Sequence, residues 1–365
     1  MSETRAMLPL ARPSIGDDER AAVDAVLQSG MLVMGAEVAA FEEEVAARVG
    51  RSHAVAVGSG TAALALAMEA LGVGPGAEVL VPALTWPSPA HAARQLGAEV
   101  VLVDVDPDDW NGAAAAYAAA RTERTALAVV IDQFGNPVDR EALGAALGAL
   151  PLLEDAACGL GSVDPAGRAA GSFGVCSTLS FHPRKVLTTG EGGMVLTDDA
   201  ALAEELRWRR NHGQRGPGDF VGAAGNHRLT DLAAALGRSQ LRRLDAIVDA
   251  RRARAAELRA GLEGLPLQWQ AEHGASNAQT FGVLPAERGA GPRLVAALRD
   301  RGIQAGRLSY DLTGLPSLEG ARGEAPVAGH LARDGVALPL YAELRPEDAA
   351  RVARAVRETK AEHRW

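Results

Sequence analysis

The sequence predicts an α/β protein: a large domain with a mostly parallel central sheet covered by helices, and a smaller C-terminal α+β domain. Three observations predict it. Through the first half of the chain, short Val- and Leu-rich runs bounded by Gly, Pro or Asp alternate with alanine-rich helical stretches, the pattern of buried parallel strands and the helices that cover them. After Gly171 that alternation weakens. The length of 365 residues exceeds what one compact core usually holds, so a large domain with a smaller companion is expected.

The first helix begins near Asp17 or Asp18, either of which can cap it, carries Val23, Val26 and Leu27 on one face and stops at Gly30. A second runs from Ala36 to Val49, with Val38, Phe41, Val45 and Val49 at helical spacing and Gly50 as its end. The strand-like runs are His53–Val57, Glu78–Val81, Glu99–Val103, Ala126–Ile131 and Pro151–Glu154. Helical stretches Thr61–Leu71, Pro87–Leu96 and Asp139–Leu150 lie between them, and the alanine run Ala113–Ala120 reads as a surface helix. Val175–Phe181 and Gly193–Thr197 read as two strands flanking a glycine-rich turn. From Leu229 to Leu262 an Arg- and Ala-rich helical stretch, broken near Asp245, crosses to the C-terminal part, where helices are expected near Pro292–Arg301 and Pro346–Thr359. The domain boundary is accordingly set at 245/246, giving a large domain over 1–245 and a small one over 246–365.

Composition narrows the function. With 47% hydrophobic and 23% charged residues the chain can bury a core and keep a soluble surface. A formal net charge of −9 argues against nucleic acid or an anionic membrane as partner, although the cluster Arg207, Arg209, Arg210 and Arg215 could hold a single anionic ligand. Two cysteines, Cys158 and Cys176, make no disulfide framework, and scattered histidines without a paired Cys-x-x-Cys or an HExxH pattern predict no metal. The stretch from Met1 to Arg12 lacks a basic segment followed by a long apolar run, and no later segment is long and apolar enough to span a bilayer, so a cytoplasmic location is expected.

Five segments could carry chemistry. Gly58-Ser59-Gly60-Thr61 follows a strand and opens a helix; free amides at a helix start, glycine's close backbone approach and the Thr61 hydroxyl suit a phosphate. A tight strand-to-helix turn selects the same residues, so this segment alone leaves both readings open, while a dinucleotide fingerprint or P-loop would need a further glycine or a Gly-Lys-Ser/Thr ending that is missing. Trp86 follows a strand end, where open α/β sheets place ligands, and could lie on an aromatic cofactor or simply pack under a loop. Glu154-Asp155 ends a buried strand, and a carboxylate there needs a positive partner such as a protonated pyridine nitrogen, unless Asp155 is a helix cap. Ser177-Thr178-Leu179-Ser180-Phe181-His182-Pro183-Arg184-Lys185, followed by Thr188-Thr189-Gly190-Glu191-Gly192-Gly193, sets a lysine among hydroxyls between a strand and a glycine turn. A dry pocket or a neighbouring cation frees such an amine for Schiff-base chemistry. In Asn226-His227-Arg228-Leu229-Thr230, a cap by Thr230 or Asp231 leaves Asn226 and Arg228 unexplained.

Taken in order, these segments make the chain resemble the DegT/DnrJ-type aminotransferases, fold-type I pyridoxal-phosphate (PLP) enzymes of amino-sugar and aminocyclitol biosynthesis. The resemblance runs from about Pro9 to Glu358 and rests on Ser29-Gly30 with Gly35, Gly60-Thr61, Thr85-Trp86, Glu154-Asp155-Ala156-Ala157, Ser180-Phe181-His182-Pro183-x-Lys185, Gly190-Glu191-Gly192-Gly193, Asn226-x-Arg228 and Leu338-Pro339-Leu340-Tyr341. It implies that Lys185 carries PLP as a Schiff base and later moves the substrate proton, that Asp155 pairs with the pyridine nitrogen and that Trp86 stacks on the ring. Gly60, Thr61 and Ser180 would hold the phosphate. Asn226 would reach the phosphate of the other subunit of a homodimer with shared sites, Arg228 would grip the donor carboxylate, and Tyr310 would touch substrate. The implied reaction moves an amino group from an amino acid, glutamate or glutamine, to a nucleotide-linked keto sugar or a keto cyclitol. Two departures stand out: Cys158 occupies a position usually Gln or His, and Asp132-Gln133-Phe134-Gly135-Asn136-Pro137 lacks the polar residue that often precedes its aromatic. Dehydrating relatives replace the lysine by histidine, which Lys185 argues against; an aromatising relative or an idle regulatory one stays open. The substrate is expected against the loops Gln214–Ala224 and Tyr310–Gly323.

Overall fold

A computed structural model describes residues 7–363; Met1–Ala6, part of the stretch read above for a leader, lie outside the described residues. The first part of the chain runs α1 (Asp17–Ser29), α2 (Ala36–Val49), β1 (His53–Val57), α3 (Gly60–Ala70), β2 (Glu78–Pro82), β3 (Leu84–Thr85), α4 (Ser88–Gln95) and β4 (Glu99–Val103). It continues α5 (Ala114–Ala120), β5 (Thr125–Ile131), α6 (Arg140–Leu147), β6 (Leu152–Asp155), β7 (Cys176–Ser180), β8 (Gly193–Thr197) and α7 (Ala200–Arg210). Then come the hairpin β9 (Gln214–Gly216) and β10 (Asp219–Phe220), α8 (Asp231–Leu241), α9 (Leu244–Leu262), β11 (Leu267–Gln268) and β12 (Phe281–Pro285). The last elements are α10 (Ala290–Asp300), β13 (Gly306–Arg307), β14 (Tyr310–Asp311), α11 (Pro326–Asp334), β15 (Val336–Leu338) and α12 (Pro346–His363). Among the described residues, no helix is long and apolar enough to cross a membrane.

The main sheet has seven strands in the order β1-β8-β7-β6-β5-β2-β4. Strands β7, β6, β5, β2 and β4 are parallel, and β8 lies antiparallel between β7 and β1. Alternate side chains leave the two faces of each strand. Thus Val79, Val81, Leu127, Val129 and Ile131 join α3, α4 and α7 in one core, whereas Leu80, Ala128 and Val130 meet α5 and α6 in another. Burial on both faces is what made these strands read as continuous apolar runs. A second sheet, β11-β12-β15-β13, is antiparallel and has its own core with Leu258 and Leu262 of α9, Leu294 and Leu298 of α10, and Val352 and Val356 of α12.

Several local expectations need adjustment. Gly16, not Asp17 or Asp18, is the N-cap of α1, and the Glu19 carboxylate accepts the Gly16 amide at 2.6 Å. Leu27 is 55% exposed rather than packed with Val26. The long helical stretch breaks at Arg242–Arg243, just ahead of Asp245, which takes the first turn of α9, where a negative charge suits the helix dipole. Helix α5 is less superficial than its alanines suggest: Tyr117 is fully buried and its hydroxyl donates to the Val129 carbonyl at 2.5 Å.

One ionic latch closes the far end of β1 and β8. Asp198 accepts Arg51 Nη1 at 2.8 Å and the Ser52 amide at 2.8 Å, and these two, guanidinium first, hold its carboxyl down to about 2. A depressed folded-state value contributes stability that is present above the unfolded carboxylate value near 4 and lost as pH falls through about 2. Because Asp198 is largely exposed, the effect is modest: Asp198→Asn should lower the melting temperature by about 2 °C at neutral pH. Thermal denaturation across pH should show that difference disappearing near pH 2.

Candidate active site

The chemistry-bearing segments converge on one edge of the main sheet, where the strands that run parallel to β6 end. Asp155 closes β6, the central strand, and is in register with Thr178 of β7 and Ile131 of β5. Ser180 closes β7 opposite Gly193 of β8, and Gly193 in turn faces Val57, the last residue of β1. From β1 the chain turns through Gly58 and Ser59 into α3. The edge of an open α/β sheet beyond the strand carboxyl ends is where such folds bind ligands.

The pleat separates the two acidic residues. Glu154 turns away from the edge, accepting the Phe173 amide at 2.7 Å and facing Arg140 at 3.8 Å. Asp155 turns toward it. Its Oδ1 accepts the Ala157 amide at 3.1 Å and the Thr178 hydroxyl at 3.4 Å, while Oδ2 accepts no hydrogen bond among the described residues. Burial pushes the Asp155 carboxyl up, and the positive charge of Lys185 pulls it partly back. It is therefore a buried carboxylate with an open oxygen and a cation nearby, the state in which a further positive partner is most favourable.

Lys185 lies on the turn between β7 and β8. Its amide donates to the His182 carbonyl at 2.8 Å, and Gln279 Nε2 anchors the preceding Arg184 carbonyl at 2.6 Å. The amine is half-buried and donates to Cys158 Sγ at 3.1 Å. Three of the four hydroxyls expected around it are otherwise committed, Ser180 being the exception: Ser177 donates to the Gly171 carbonyl, Thr188 to Phe181 and Thr189 to Glu191. They build the turn rather than solvate the amine. Arg184 is exposed.

The turn into α3 is tightly built. Ser59 caps the helix by accepting the Ala62 amide at 3.1 Å, and the Gly60 and Thr61 amides have no hydrogen-bond partner among the described residues. A Cβ on Gly60 would lie 2.8 Å from Ser180 Cβ, and one on Gly193 would run into the Ser59 carbonyl at 2.3 Å. Glycine is needed at both places for the strand end and the helix start to meet. Thr61 Oγ1 shares a hydrogen bond with Ser88 at 2.8 Å. The Asn226–Arg228 segment runs alongside: the Gly58 amide donates to the His227 carbonyl at 2.8 Å, and Val57 bridges Arg228. Asn226 is exposed, its Oδ1 accepting the Arg228 amide at 3.3 Å. Arg228 gives Nη1 to Asn211 at 2.8 Å and keeps a buried Nε without a partner. Of the two residues offered as a cap, Thr230 caps α8, whereas Asp231 is buried and accepts the Gly35 and Val38 amides at the start of α2.

Trp86 does not pack under a loop. It is 61% exposed and meets Tyr310 edge-on, ring centroids 5.4 Å apart, because β14 pairs with β3 and sets Tyr310 opposite Thr85. Arg307 lies over the Tyr310 ring at 5.1 Å. The C-terminal part of the chain thereby closes one side of the edge. Elsewhere, Asp139, Glu141 and His273 bring ligand-type atoms within 4.8 Å of one another, but Glu141 is paired with Arg168 and Asp139 caps α6.

A model of the DegT/DnrJ/EryC1/StrS aminotransferase family matches residues 13–357. The chain belongs to this family. It is an aminotransferase, and its cofactor is pyridoxal 5′-phosphate. The chain is 36% identical over 351 residues, 94% of each sequence, to a UDP-N-acetyl-3-dehydro-α-D-glucosamine 3-aminotransferase of Acidithiobacillus ferrooxidans. Among solved structures it is similar to DesV of S. venezuelae in complex with a ketimine intermediate, with a TM-score of 0.90 and 33% identity, covering 97% of this chain and 98% of that one. It is similar also to the aminotransferase TlmJ of Streptoalloteichus hindustanus, with a TM-score of 0.93 and 32% identity over 98% and 100% of the two chains.

The pocket suits the cofactor of this family on its own chemistry. The free amides at the start of α3, with Ser180 beside them, could take a phosphate; the open Oδ2 of Asp155 could take a protonated ring nitrogen; the Lys185 amine could take the aldehyde. Two features escaped the sequence reading. Of the 37 basic residues only Lys185 and Lys360 are lysines, so nearly every cation with a purely structural role is arginine, and counting would have singled out Lys185. Arg251, one arginine of many in α9, is buried beneath the pocket and donates to the Ala278 and Gln279 carbonyls at 3.1 and 2.7 Å. No sequence signal distinguishes it from its neighbours.

Proposed function

We propose that this aminotransferase moves an amino group from an amino acid, glutamate or glutamine, to a keto sugar linked to a nucleotide or to a keto cyclitol. The observation that carries the reading is the half-buried amine of Lys185 held beside the buried Asp155 at the strand ends of the central sheet. The 36% identity to an enzyme named for a UDP-linked keto sugar supports the substrate class. Bound here, PLP supplies an electron sink that lets the carbon bearing the amine give up a proton.

In this reading Lys185 anchors the cofactor and, once released, holds the proton taken from substrate and returns it. Asp155 keeps the ring nitrogen charged by ion pairing inside a dry site. Gly60 and Thr61 amides with Ser180 hold the phosphate, and Trp86 covers the ring face. Arg228, with its unpartnered Nε, takes the donor carboxylate, and Tyr310 contacts substrate. Asn226 serves the phosphate of a second subunit. A homodimer is supported by exposed Met31, Leu32, Val33, Phe220 and Val221, apolar surface that a lone subunit would leave in water. The division at 245/246 belongs to the same proposal, with the second sheet and its core as the small domain.

The substrate class is tested by loading the enzyme with amine and presenting a panel of nucleotide-linked keto sugars and inososes. At least one should take the amino group from the loaded enzyme in a stoichiometric single turnover; a panel with no acceptor, in an enzyme that does accept amine, overturns the class. For the dimer, mixing Lys185→Ala with Asn226→Asp subunits should restore activity neither has alone. No recovery despite demonstrated subunit exchange contradicts shared sites.

A further inference from the structure

We propose that Cys158 is a positioning residue for Lys185: its sulfur is the resting acceptor that holds the amine inside the pocket whenever the amine is not bonded to the cofactor. The inference rests on the reading of Lys185 as the anchor. A lysine side chain has a flexible four-carbon stem, so a freed amine has many rotamers to visit. In this pocket its one hydrogen-bond acceptor among the described residues is Cys158 Sγ at 3.1 Å.

The thiol is fixed from behind. The Cys158 carbonyl accepts Asn277 Nδ2 at 2.8 Å, and the same amide group reaches the Leu160 carbonyl at 2.8 Å. Asn277 is fully buried, and the facing Gly135, at φ +91°, leaves room for this turn where a Cβ would fall 3.1 Å from the Cys158 carbonyl. The charged groups placed against the sulfur are the Lys185 amine, which donates to it, and Arg251, which also faces Glu343. Burial pushes the Arg251 guanidinium down to about 10, against which Glu343 and then Cys158 act. The sulfur thus sits beside the Lys185 amine on a rigid turn, and the Asp155 carboxyl feels the same lysine. A soft acceptor that binds an N–H only weakly can hold the amine without trapping it, which an amine that must leave and return in each half-reaction requires.

The chain suits a direct test, because it has two lysines and two cysteines, and Cys176 is buried. o-Phthalaldehyde condenses one amine and one adjacent thiol, with loss of two waters, to a fluorescent isoindole. Cofactor-free enzyme should form this product between Lys185 and Cys158, located by peptide mass; Cys158→Ala, Lys185→Ala and enzyme preloaded with PLP should not. In parallel, the rate at which cofactor-free enzyme captures PLP should fall about five-fold in Cys158→Ala and stay within about two-fold in Cys158→Ser, which keeps an acceptor. Absence of the Lys185–Cys158 product in wild type, or equal capture rates in all three proteins, overturns the proposal. Wild type that captures no PLP at all would instead overturn the anchor role on which it rests.

Discussion

Lys185→Ala is expected to lose the Schiff-base band of the bound cofactor, leaving at most the absorbance of the free aldehyde, and to lower turnover at least about 10³-fold, equivalent to about 4 kcal/mol of barrier. The size of the effect follows from two roles lost together. Without the amine the cofactor would be held only through its phosphate and ring, and no second amine stands ready to take the substrate proton: Thr188 and Thr189 are tied to backbone carbonyls, and the only other lysine is Lys360 on the last helix. The fold should be unaffected, since among the described residues the amine's hydrogen-bond partner is the Cys158 sulfur alone. Turnover by single-turnover kinetics and melting by calorimetry check both halves, and an unchanged melting temperature with lost turnover is the expected pairing.

Asp155→Asn is expected to lower turnover by about 10²- to 10³-fold while leaving cofactor binding weakened far less. Asparagine keeps the size of the side chain and an oxygen for the Ala157 amide, so what is removed is the charge. The turn at Gly60 and Thr61, proposed to hold the phosphate, does not depend on it. The same substitution has an opposite effect on the cofactor-free protein. Burial raises the folded-state value of Asp155, so its stability contribution is present below the unfolded carboxylate value and is lost as pH rises through the folded value. Cofactor-free Asp155→Asn should therefore melt above wild type at pH 8, and the gap should shrink toward pH 4. A variant that gains stability as it loses turnover is what a carboxylate retained for chemistry predicts.

The readable parts of this molecule were those where local rules and the tertiary fold agree. Strands such as Glu78–Pro82, buried on both faces, could only be continuous apolar runs, and the glycines at 30 and 50 end helices because both residues adopt positive φ. The motif residues fell on one edge because each follows a strand end, and the period of two assigns Asp155 rather than Glu154 to that edge. What could not be read depends on distant parts of the chain. Nothing near Trp86 foretells Tyr310, which arrives through the pairing of β3 with β14. Nothing near Lys185 foretells that Cys158, 27 positions earlier, ends at its amine. The hydroxyls around the lysine misled because a Ser- and Thr-rich turn can satisfy its own carbonyls.

The central claim, that Lys185 anchors PLP and works with it in amino transfer, is tested most directly by the absorbance of purified protein titrated with glutamate or glutamine. Wild type should show a visible Schiff-base band that is lost on adding donor, with one keto acid released per subunit, and Lys185→Ala should not form that band without added amine. A colourless protein that takes up no added PLP, or the same Schiff-base band in amine-free Lys185→Ala, would contradict it.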